Sequence, residues 1–539
     1  MYMNKFLIFS GISALLVGCG GNNYSKWNNS PATSNPRDVQ TSYIDAASLY
    51  GSDFGGNSAN IAVLLPMKGA GQNVGKDIKA AIETALLRKP NSNVKVSFYD
   101  LSGNREKRND VIKAALYSNP DMIIGPLFAE DTKILRDSKP SDLPVLSFTS
   151  DMDALGRGVS TLNLMPTQSI ETIVRQIQSD GASSMIILAP DDNSGKLMTA
   201  VANKSADLYN VSTKGIFYYT PGKPDSIKEV AMQASVYQTR NAVNTRAREV
   251  LSDILAKEEI DDETRENLTE QLEKISRTET TGELPYDSIL FLGNAEDSKT
   301  LASFLRYYGV GNRDAAFYGT TLWQNSSIAS DFNMSGSKYA TLPDVADNFV
   351  FLYNTVSGKN PDHLAAFGYD AANLAMGMIY SQKSSMAYLY DPSGFSGASG
   401  IFRIQPSGES ERALRIMELN GSGQPTTVKE SPMNFFTVLY NVRPNNVSQT
   451  PAKELSIRGI NPGDYIEIPE EFKRRPEYRM RTIGADYSAD AEEEVVENPE
   501  NIQVFAPEEE AETVSNPEFK PVKLETVSRQ LIDSVEVAE

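Results

Sequence analysis

The sequence predicts an α/β protein with a mainly parallel sheet. From Ile61 onward, short apolar runs alternate with segments whose apolar residues recur at helical spacing, which is the pattern of consecutive βαβ units. This rhythm continues to about Asn441 and then stops. The chain has 539 residues, enough for about three or four domains of roughly 150 residues or for one large two-lobed α/β fold.

Each predicted strand is a short apolar run, and helical segments separate the strands. The predicted strands are IAVLLP (61–66), VKVSFYD (94–100), MIIGP (122–126), PVLSF (144–148), MIILAP (185–190), GIFYY (215–219), SILFLG (288–293) and AFYG (316–319). The predicted helical segments include 74–86, 111–116, 131–136 and 168–178.

The N-terminus has the pattern of an exported lipoprotein. Lys5 precedes an apolar run, Phe6–Val17, that is too short to span ~30 Å of hydrocarbon as a helix, so residues 1–18 are predicted to be a signal peptide. The run ends in Leu16-Val17-Gly18-Cys19, which resembles the bacterial lipobox. Cys19 is therefore the predicted lipidation site, and two or more acyl chains such as palmitate would anchor the chain stably. A buried cysteine closing an ordinary signal peptide is the alternative.

The residues after Cys19 bear on where the protein is anchored. Gly20 stands where, by analogy with lipoproteins, an inner-membrane retention signal would be Asp, so the periplasmic side of the outer membrane is predicted. Inner-membrane anchoring stays open, because the rule varies between bacteria. Residues 19–59 are rich in Gly, Asn, Ser and Pro, and they predict a flexible tether with a root-mean-square reach of ~35 Å.

A charged insertion interrupts the α/β rhythm at residues 234–283. It predicts a helical hairpin with one apolar stripe. The stripe residues are Val250, Leu251, Ile254, Leu255, Leu268, Leu272 and Ile275. Two interpretations are open: the stripe packs on its host lobe, or it docks a partner protein.

The C-terminal part of the chain divides by charge. Residues 441–483 form an extension with a basic cluster, KRRPEYRMR, at 473–481. Residues 484–539 contain 16 Asp or Glu against 3 Lys or Arg, which is −13 of the total formal charge of −19. Because this tail has few large apolar residues, it is predicted to be disordered.

Composition and motifs argue against several functional classes. A net charge of −19 argues against nucleic-acid binding. One Cys allows no intrachain disulfide or thiolate cluster, and His363 is the only histidine. The stretch before Gly75-Lys76 fails the phosphate-loop pattern, and no GxSxG, HExxH or complete SxxK set is present. The chain is therefore predicted to be a non-enzyme with no cofactor, no metal site and no catalytic residue.

The remaining candidate site is a cleft at the carboxyl ends of the strands, where ligands gather in open α/β sheets. Hydroxyl groups and free backbone N–H groups there suit a carboxylate or a small polar ligand. The candidate cleft residues are Gly125, Leu127, Ser147, Thr149, Ser150, Thr321 and Trp323. Turn and helix-capping roles with no ligand are the alternative interpretation of these residues.

Several of these segments resemble known families. IAVLLPMKGAG, IIGPLFAEDT and PVLSFTSD resemble the leucine/isoleucine/valine-binding, type I periplasmic binding fold over about residues 60–440. YDSILFLGNAEDSKTLASFLRYYGV, YGTTLW, LAAFGYDAANLA and GIFRIQPSGESERALRIMEL are similar to the penicillin-binding-protein activator lipoproteins, in their short alphaproteobacterial form. The resemblance implies a two-lobed Venus-flytrap fold with three crossings. It places lobe 1 at about 60–170 and 320–395, and lobe 2 at about 171–319 and 396–440.

The resemblance to amino-acid binders is weakest at the residues that hold their ligand. Where those proteins carry Ser in the Gly-Pro-Leu loop, this chain has Ala129. Thr321 stands in place of the acidic residue that holds the ligand ammonium, and Asn193 or Ser194 stands in place of an aromatic residue. An ammonium group without its carboxylate loses a charge-assisted hydrogen bond of ~1.5–3 kcal/mol, which argues against tight binding of free α-amino acids.

The activator resemblance implies a lipoprotein that stimulates a bifunctional peptidoglycan synthase by protein contact. Larger members place a helical-repeat domain before this fold, whereas this chain has the tether of residues 19–59. The function predicted from the sequence is therefore regulation of cell-wall synthesis, with the lipid anchor, such a synthase and a small polar ligand as partners. The alternative is the solute-binding lipoprotein of an ABC transporter for branched-chain or other amino acids or related polar metabolites.

Overall fold

The computed structural model describes residues 44–45, 59–88, 94–324, 326–380, 386–432, 435 and 450–484. The chain divides into two compact units, Met1–Asp486 and Tyr487–Glu539, and the described residues all belong to the first. The predicted signal peptide with Cys19, most of the tether and the acidic tail lie outside the described residues.

The first lobe is built on a parallel sheet of five strands in the order β3-β2-β4-β5-β6. Its strands β2, β4 and β5 are buried, as expected for apolar runs covered by helices on both faces. The elements in chain order are β1 Ile44–Asp45, β2 Ala59–Leu65, α1 Gln72–Leu87, β3 Val94–Asp100, α2 Arg105–Tyr117, β4 Met122–Ile124, α3 Ala129–Ser138, β5 Val145–Ser147 and β6 Val159–Thr161.

The chain then enters the second lobe. Its elements are α4 Pro166–Ser179, β7 Ser184–Pro190, α5 Asn193–Tyr209, β8 Ser212–Tyr219, α6 Pro224–Ala234, α7 Tyr237–Lys257, α8 Asp262–Ser276, β9 Ser288–Phe291, α9 Ala295–Tyr307, β10 Ala316–Gly319 and β11 Lys338–Thr341. Every strand predicted between residues 61 and 319 is present, with bounds within a few residues of the prediction.

The remaining elements return to the first lobe and cross again. They are α10 Asp347–Ser357, α11 His363–Tyr380, α12 Met386–Leu389, β12 Phe395–Gly397, β13 Gly400–Ile404, β14 Ser410–Arg412, β15 Arg415–Glu418, β16 Thr426–Lys429 and α13 Glu470–Lys473. The second sheet has seven strands in the order β16-β15-β11-β10-β9-β7-β8. A third sheet has the order β1-β12-β13-β14.

Sheet membership corrects two lobe boundaries and part of the tether. The return to lobe 1 was expected near 320, but β11 pairs with β10 in the second sheet, so the return follows Thr341. The next crossing was expected near 395, but it lies between β14 and β15, because β15 pairs with β11. Ile44, assigned to the flexible tether, forms a strand residue paired with Phe395. These pairings join distant parts of the chain, so no local pattern announces them.

One continuous apolar core contains residues of both lobes. It runs from the apolar face of β2 through α1 and α11 to α4 and α5. The helix pair α1 and α11 is closely packed because Gly368 lies against the backbone of Ile78, where an added Cβ would be 3.1 Å from the Ile78 carbonyl oxygen. Among the described helices, none combines the length and apolarity that crossing a membrane requires.

Candidate functional site

A cavity of about 250 Å³ lies between the two lobes. The first lobe contributes the segment that follows β5, and the second lobe contributes the first turns of α4 and α5. The lining residues are Ser150, Asp151, Met152, Asp153, Met165, Thr167, Ser194, Leu197 and Met198. The cavity therefore lies beyond the carboxyl end of β5 and against the first turns of α4 and α5.

The segment after β5 is held in place by its own acidic residues. Asp151 starts a short 3-10 helix and accepts a hydrogen bond from the backbone N–H of Asp153 at 2.9 Å. Its second carboxylate oxygen forms an ion pair with Lys133 Nζ at 2.7 Å. The Asp153 carbonyl accepts a hydrogen bond from Arg136. This wall of the cavity is therefore a preorganised loop docked on α3.

The charge of the cavity disfavours a carboxylate ligand. Asp151 and Asp153 supply the charged side chains among the described lining residues, and neither Lys nor Arg is among them. The helix starts at Thr167 and Ser194 favour negative charge, but the N–H of Gly195 already donates to Asp192 at 2.7 Å. A free α-amino acid would find no basic side chain for its carboxylate here, which agrees with the departures seen in the sequence.

Ser150 is the one predicted cleft residue among the described residues that line this cavity. The backbone requires glycine at position 125, because φ is 94° there and an added Cβ would lie 2.2 Å from the carbonyl oxygen of Leu64. Leu127 is half-buried and packs against the Gly71 turn, where an added Cβ would be 3.1 Å away.

Ser147 and Thr149 are buried rather than exposed to the cleft. The Ser147 hydroxyl donates to the carbonyl of Ser160 at 3.1 Å. The Thr149 hydroxyl accepts from the N–H of Asp151 at 3.1 Å, and its carbonyl accepts from Thr161 Oγ1 at 2.6 Å. The Thr149 hydroxyl serves the local turn, whereas the Ser147 hydroxyl bonds across the sheet to β6, so both hydroxyl groups have structural partners.

The prediction that Trp323 faces the cleft is wrong. Trp323 is 1% exposed in the core of the second lobe, and its indole N–H donates to Ser298 Oγ at 3.1 Å. After β10, a 3-10 turn folds the indole under Gly319, where an added Cβ would be 2.4 Å from the ring. Thr321 begins that turn and is half-buried, outside the set of cavity-lining residues.

The cavity also contains residues that sequence reasoning did not select. Met152, Met165 and Met198 are buried, and with Leu197 they supply its apolar part. A signal was present for the acidic residues, because Asp151 and Asp153 directly follow the strand that carries the predicted hydroxyl groups. No local signal in the sequence indicated the methionines, because Met is also common in hydrophobic cores that bind no ligand.

A buried polar cluster ties two crossing segments to helix α11 of the first lobe. We call Asp370, Ser399 and Arg412, with the carbonyl of Leu162, the crossing cluster. Asp370 accepts from the N–H of Ala398 at 2.6 Å, from the N–H of Ser399 at 3.1 Å and from the Ser399 hydroxyl. Arg412 Nη1 donates to Ser399 Oγ at 2.7 Å, and Arg412 Nε donates to Leu162 at 3.1 Å.

Burial dominates the electrostatics of the crossing cluster. Asp370 is 0% exposed and Arg412 is 4% exposed. Burial raises the pKa of Asp370, opposed by its hydrogen bonds and by Arg412. Burial also lowers the pKa of Arg412 to about 10, opposed by Asp370. The guanidinium stacks 3.9 Å from the ring centroid of Phe367, and the Ser399 hydroxyl bridges it to the Asp370 carboxylate. Two buried groups of opposite charge therefore interact through Ser399 where the chain crosses between lobes.

A second carboxylate near the crossing has a perturbed pKa. Burial raises the pKa of Glu411 to about 7, and the negative charge of Glu171 adds to this, although Arg403 opposes it. Arg403 Nη2 lies 2.6 Å from the Glu411 carboxylate. The folded chain therefore keeps a proton on Glu411 that the unfolded chain has already lost, so rising pH through this window lowers the free energy of unfolding.

His363 has a structural role at the start of a helix. It is the first residue of α11, and its Nε2 lies 2.9 Å from the carbonyl oxygen of Pro343. Burial lowers its pKa. No group of three or more His, Cys, Asp or Glu residues with metal-binding geometry occurs in the described part of the chain.

The insertion and the C-terminal extension, distant in sequence, form one structure on the second lobe. We call residues 237–276 together with 460–484 the appendage. Its apolar cluster joins the stripe on α7 and α8 to the extension. The buried members are Ala247, Val250, Leu251, Ile254, Leu268, Ile275, Ile466, Ile468, Phe472 and Tyr478. The chain's own extension therefore covers the stripe for which host-lobe packing and partner docking were the open interpretations.

Polar contacts fix the extension on the helical hairpin. The Gln271 amide donates to the Glu467 carbonyl at 2.9 Å and accepts from the Glu467 N–H at 2.7 Å. Glu258 pairs with Arg475 at 2.7 Å and accepts from the Tyr478 hydroxyl at 2.8 Å. Upstream, Lys453 forms both backbone hydrogen bonds with Ile216 of β8, which covers part of an open sheet edge.

Comparison with known proteins agrees with this architecture. Residues 54–270 match the family model described as "LppC putative lipoprotein". The match supports the resemblance to lipoproteins that the sequence indicates. The matched segment covers less than half of the chain: the first part of lobe 1 and the second lobe as far as α8. No curated protein matches the chain.

Solved structures show the fold. A "putative branched-chain amino acid ABC transporter" from Rhodospirillum rubrum superposes with a TM-score of 0.52 at 16% identity, covering 69% of this chain and 100% of that one. The LpoA C-domain from Haemophilus influenzae, described as a regulator of PBP1A, has a TM-score of 0.47 at 17% identity, covering 69% and 100%. The leucine-binding protein LivK from Thermotoga maritima has a TM-score of 0.42 at 16% identity, covering 68% and 97%. The chain has the type I periplasmic binding fold.

Proposed function

We propose that this chain is a non-enzymatic periplasmic lipoprotein that regulates cell-wall synthesis by binding a bifunctional peptidoglycan synthase. The match of residues 54–270 to the lipoprotein family model carries the proposal. In this proposal residues 1–18 are the signal peptide, Cys19 carries the lipid, and residues 19–59 hold the folded unit clear of the periplasmic side of the outer membrane.

The geometry supports a protein-binding role over a transport role. Among the predicted cleft residues, Ser147 and Trp323 are buried in the lobes and are not free to contact a ligand. The appendage, by contrast, adds a fixed, protruding structure to the second lobe, with hydrogen bonds that hold its shape. A preorganised surface of this kind loses little conformational entropy on binding.

The test uses the full lipidated chain in detergent and a purified bifunctional synthase from the same organism. We expect direct binding by surface plasmon resonance and an increase in peptide cross-linking by the synthase. A monofunctional transpeptidase serves as the control partner. Absence of binding to the synthase at micromolar concentration would contradict the proposed function.

Solute binding remains a second candidate because the interlobe cavity of about 250 Å³ is large enough for a small ligand. A thermal-shift screen of leucine, isoleucine, valine and related polar metabolites separates the two. A ligand at 100 times its Kd adds about 2.7 kcal/mol to the free energy of unfolding, which is easily measured. We expect no shift with free amino acids, because the lining residues include no basic side chain. A saturable shift with any of them would favour the transport role.

Anchoring is tested separately through Cys19. Metabolic labelling with palmitate should mark the wild-type chain and leave Cys19→Ser unlabelled. Density-gradient fractionation of the membranes should place the wild-type chain with the outer membrane. Recovery in the inner-membrane fraction would select the alternative that Gly20 disfavours.

A further inference from the structure

The second lobe carries a connected set of aromatic side chains beside the appendage, two of which are exposed. We call Tyr237, Tyr308, Tyr307 and Phe332, together with Arg306, the aromatic row. The rings of Tyr237 and Tyr308 are 4.8 Å apart, and those of Tyr308 and Tyr307 are 5.1 Å apart. The Arg306 guanidinium lies 5.2 Å from the ring centroid of Phe332. Four aromatic rings and one cation thus lie on three neighbouring segments.

Two of these rings are largely in solvent. Tyr307 is 68% exposed and Phe332 is 73% exposed. They are exposed because their neighbours already fill the core. Helix α9 buries Leu301 and Leu305 on its inner face, which turns Arg306 and Tyr307 outward. Exposed large apolar groups in a cluster are typical of interaction sites, whereas scattered ones need no explanation.

The turn that presents Phe332 is rigid. Asp331 caps it by accepting from the N–H of Asn333 at 2.8 Å, and the Asn333 amide donates to Ser303 Oγ at 3.3 Å. Met334 on the same turn is 0% exposed and anchors it in the lobe core. Phe332 is therefore held in place by its neighbours, so a partner would not need to order it.

The charge of the row indicates what would cover it. No carboxylate in the described part of the chain lies within ion-pair distance of Arg306, whose neighbour is the Phe332 ring. Two acidic residues of the same lobe serve their own loops: Asp331 accepts from the N–H of Asn333 at 2.8 Å, and Asp314 accepts from the Gly311 N–H at 2.7 Å. An exposed guanidinium over an aromatic ring is complementary to a carboxylate beside an apolar pocket.

Other exposed aromatic residues lack this organisation. Tyr117 on α2 is 87% exposed and Phe351 on α10 is 72% exposed. Neither has a ring or cation–π contact with another described residue, and both lie on helices of the first lobe. Exposure alone therefore does not distinguish the row; its connection to other rings and to Arg306 does. Tyr, Phe and Arg are also the residue types enriched at protein interfaces.

We propose that the aromatic row is the surface by which this chain docks on its synthase partner, into an apolar pocket of that protein edged by carboxylates. The inference rests on the proposed function and names the face that carries it out. The row is continuous with the appendage, because Tyr237 is the first residue of α7 and its hydroxyl lies 3.2 Å from Glu279. The aromatic row and the adjoining start of α7 in the appendage therefore form one binding face.

The test compares full-length chains with substitutions on and off the row. Tyr307→Ser with Phe332→Ser should weaken binding to the purified synthase at least 100-fold. The matched pair Tyr117→Ser with Phe351→Ser, which removes equally exposed rings elsewhere, should change the Kd less than twofold. Because all four rings are exposed, every variant should retain the wild-type melting temperature.

Arg306 tests the charge part of the proposal. Arg306→Glu should weaken binding more than tenfold, and Arg306→Lys should weaken it less, because it keeps the positive charge. Raising the salt concentration from 50 to 300 mM should weaken wild-type binding and leave Arg306→Glu almost unaffected.

The outcomes separate this inference from the proposed function. If the wild-type chain does not bind the synthase, both the proposed function and this inference are wrong. If the wild-type chain and the row variant bind equally well, the aromatic row is not the docking surface and the proposed function stands. Loss of self-association or of glycan-strand binding in the row variant, with synthase binding unchanged, would overturn the proposal by assigning the surface to another occupant.

A photo-crosslinker decides the matter if a variant folds poorly. Benzoylphenylalanine in place of Phe332 should form an adduct with the purified synthase at a site lined by apolar and acidic residues. The same group in place of Tyr117 should form none. An adduct from position 117 but not from position 332 would contradict the proposal.

Discussion

The crossing cluster makes a sharp prediction for Asp370→Asn. The substitution keeps the volume of the side chain but removes the negative charge that faces the buried Arg412 guanidinium across the bridging Ser399 hydroxyl. The single amide oxygen also cannot accept from the N–H groups of both Ala398 and Ser399, which lie 2.6 and 3.1 Å from the present carboxylate oxygens. One of these two backbone N–H groups then faces the amide NH₂ group and has no acceptor.

The magnitude follows from these losses. Removing one partner of a buried ion pair in direct contact typically costs about 3–5 kcal/mol, and each unsatisfied buried donor costs about 1–3 kcal/mol. Because Asp370 and Arg412 interact through Ser399, we expect a loss of about 3 kcal/mol in the free energy of unfolding. Arg412 is 4% exposed, so water cannot replace the lost partner without rearrangement.

Urea unfolding followed by tryptophan fluorescence measures this loss, because Trp323 is buried in the second-lobe core and becomes exposed on unfolding. The control is Asp261→Asn, an exposed helix cap where Asn serves as well as Asp, with an expected change under about 0.5 kcal/mol. Adding Arg412→Met to Asp370→Asn should restore part of the stability. A loss under about 1 kcal/mol, or an additive double variant, would refute the reasoning.

Three further predictions concern the appendage, the first-lobe turn and pH. Phe472→Ala removes a side chain that is 1% exposed, so it should lower the free energy of unfolding by about 3–5 kcal/mol. It should also speed amide hydrogen exchange in α7 and α8. Unchanged exchange would contradict the packing of the extension on these two helices. Gly125→Ala should lower the free energy of unfolding by several kcal/mol more than Gly181→Ala. Both glycines have a φ near 90°, but only at Gly125 would an added Cβ lie 2.2 Å from a backbone atom. Equal losses of stability would show that this close approach is unimportant. The pKa of Glu411 is raised from 4.5 to about 7 in the folded chain, so the free energy of unfolding should fall by up to about 3 kcal/mol between pH 4.5 and 7. Glu411→Gln should flatten this dependence of the unfolding free energy on pH. An unchanged pH dependence in the variant would remove Glu411 as its origin.

The strands of the first lobe illustrate how far local pattern reaches. IAVLLP and VKVSFYD were predicted as strands, and β2 and β3 lie there. Strand β2 is buried between two helix layers and apolar on both faces, so it appears as an uninterrupted apolar run. The same holds for β7 and β9. Strand β3 lies at the sheet edge and is only half-buried, so its run mixes apolar and polar residues. By contrast, Lys338–Thr341 has no such run, and only its pairing with β10 and β15 makes it a strand.

The cleft shows where local pattern fails. Ser147 and Trp323 both follow a strand at its carboxyl end, where ligand-binding residues gather, yet both side chains point into a lobe. A side chain beyond a strand end is directed by the next few backbone dihedrals, and a 3-10 turn after β10 was enough to bury the indole. Sequence position placed the loop correctly but left the direction of its side chains undetermined.

By itself, the sequence determined the order of βαβ units, the likeness to a lipoprotein family and the departures that disfavour amino-acid binding. Only the tertiary structure decided that Phe472 of the extension covers the stripe on α7 and α8, that Ser399 bridges Asp370 and Arg412 at the crossing, and that Tyr307 and Phe332 of the aromatic row stay exposed. The physical reason is that periodicity reports which face of one element avoids water. It does not report which distant element covers that face.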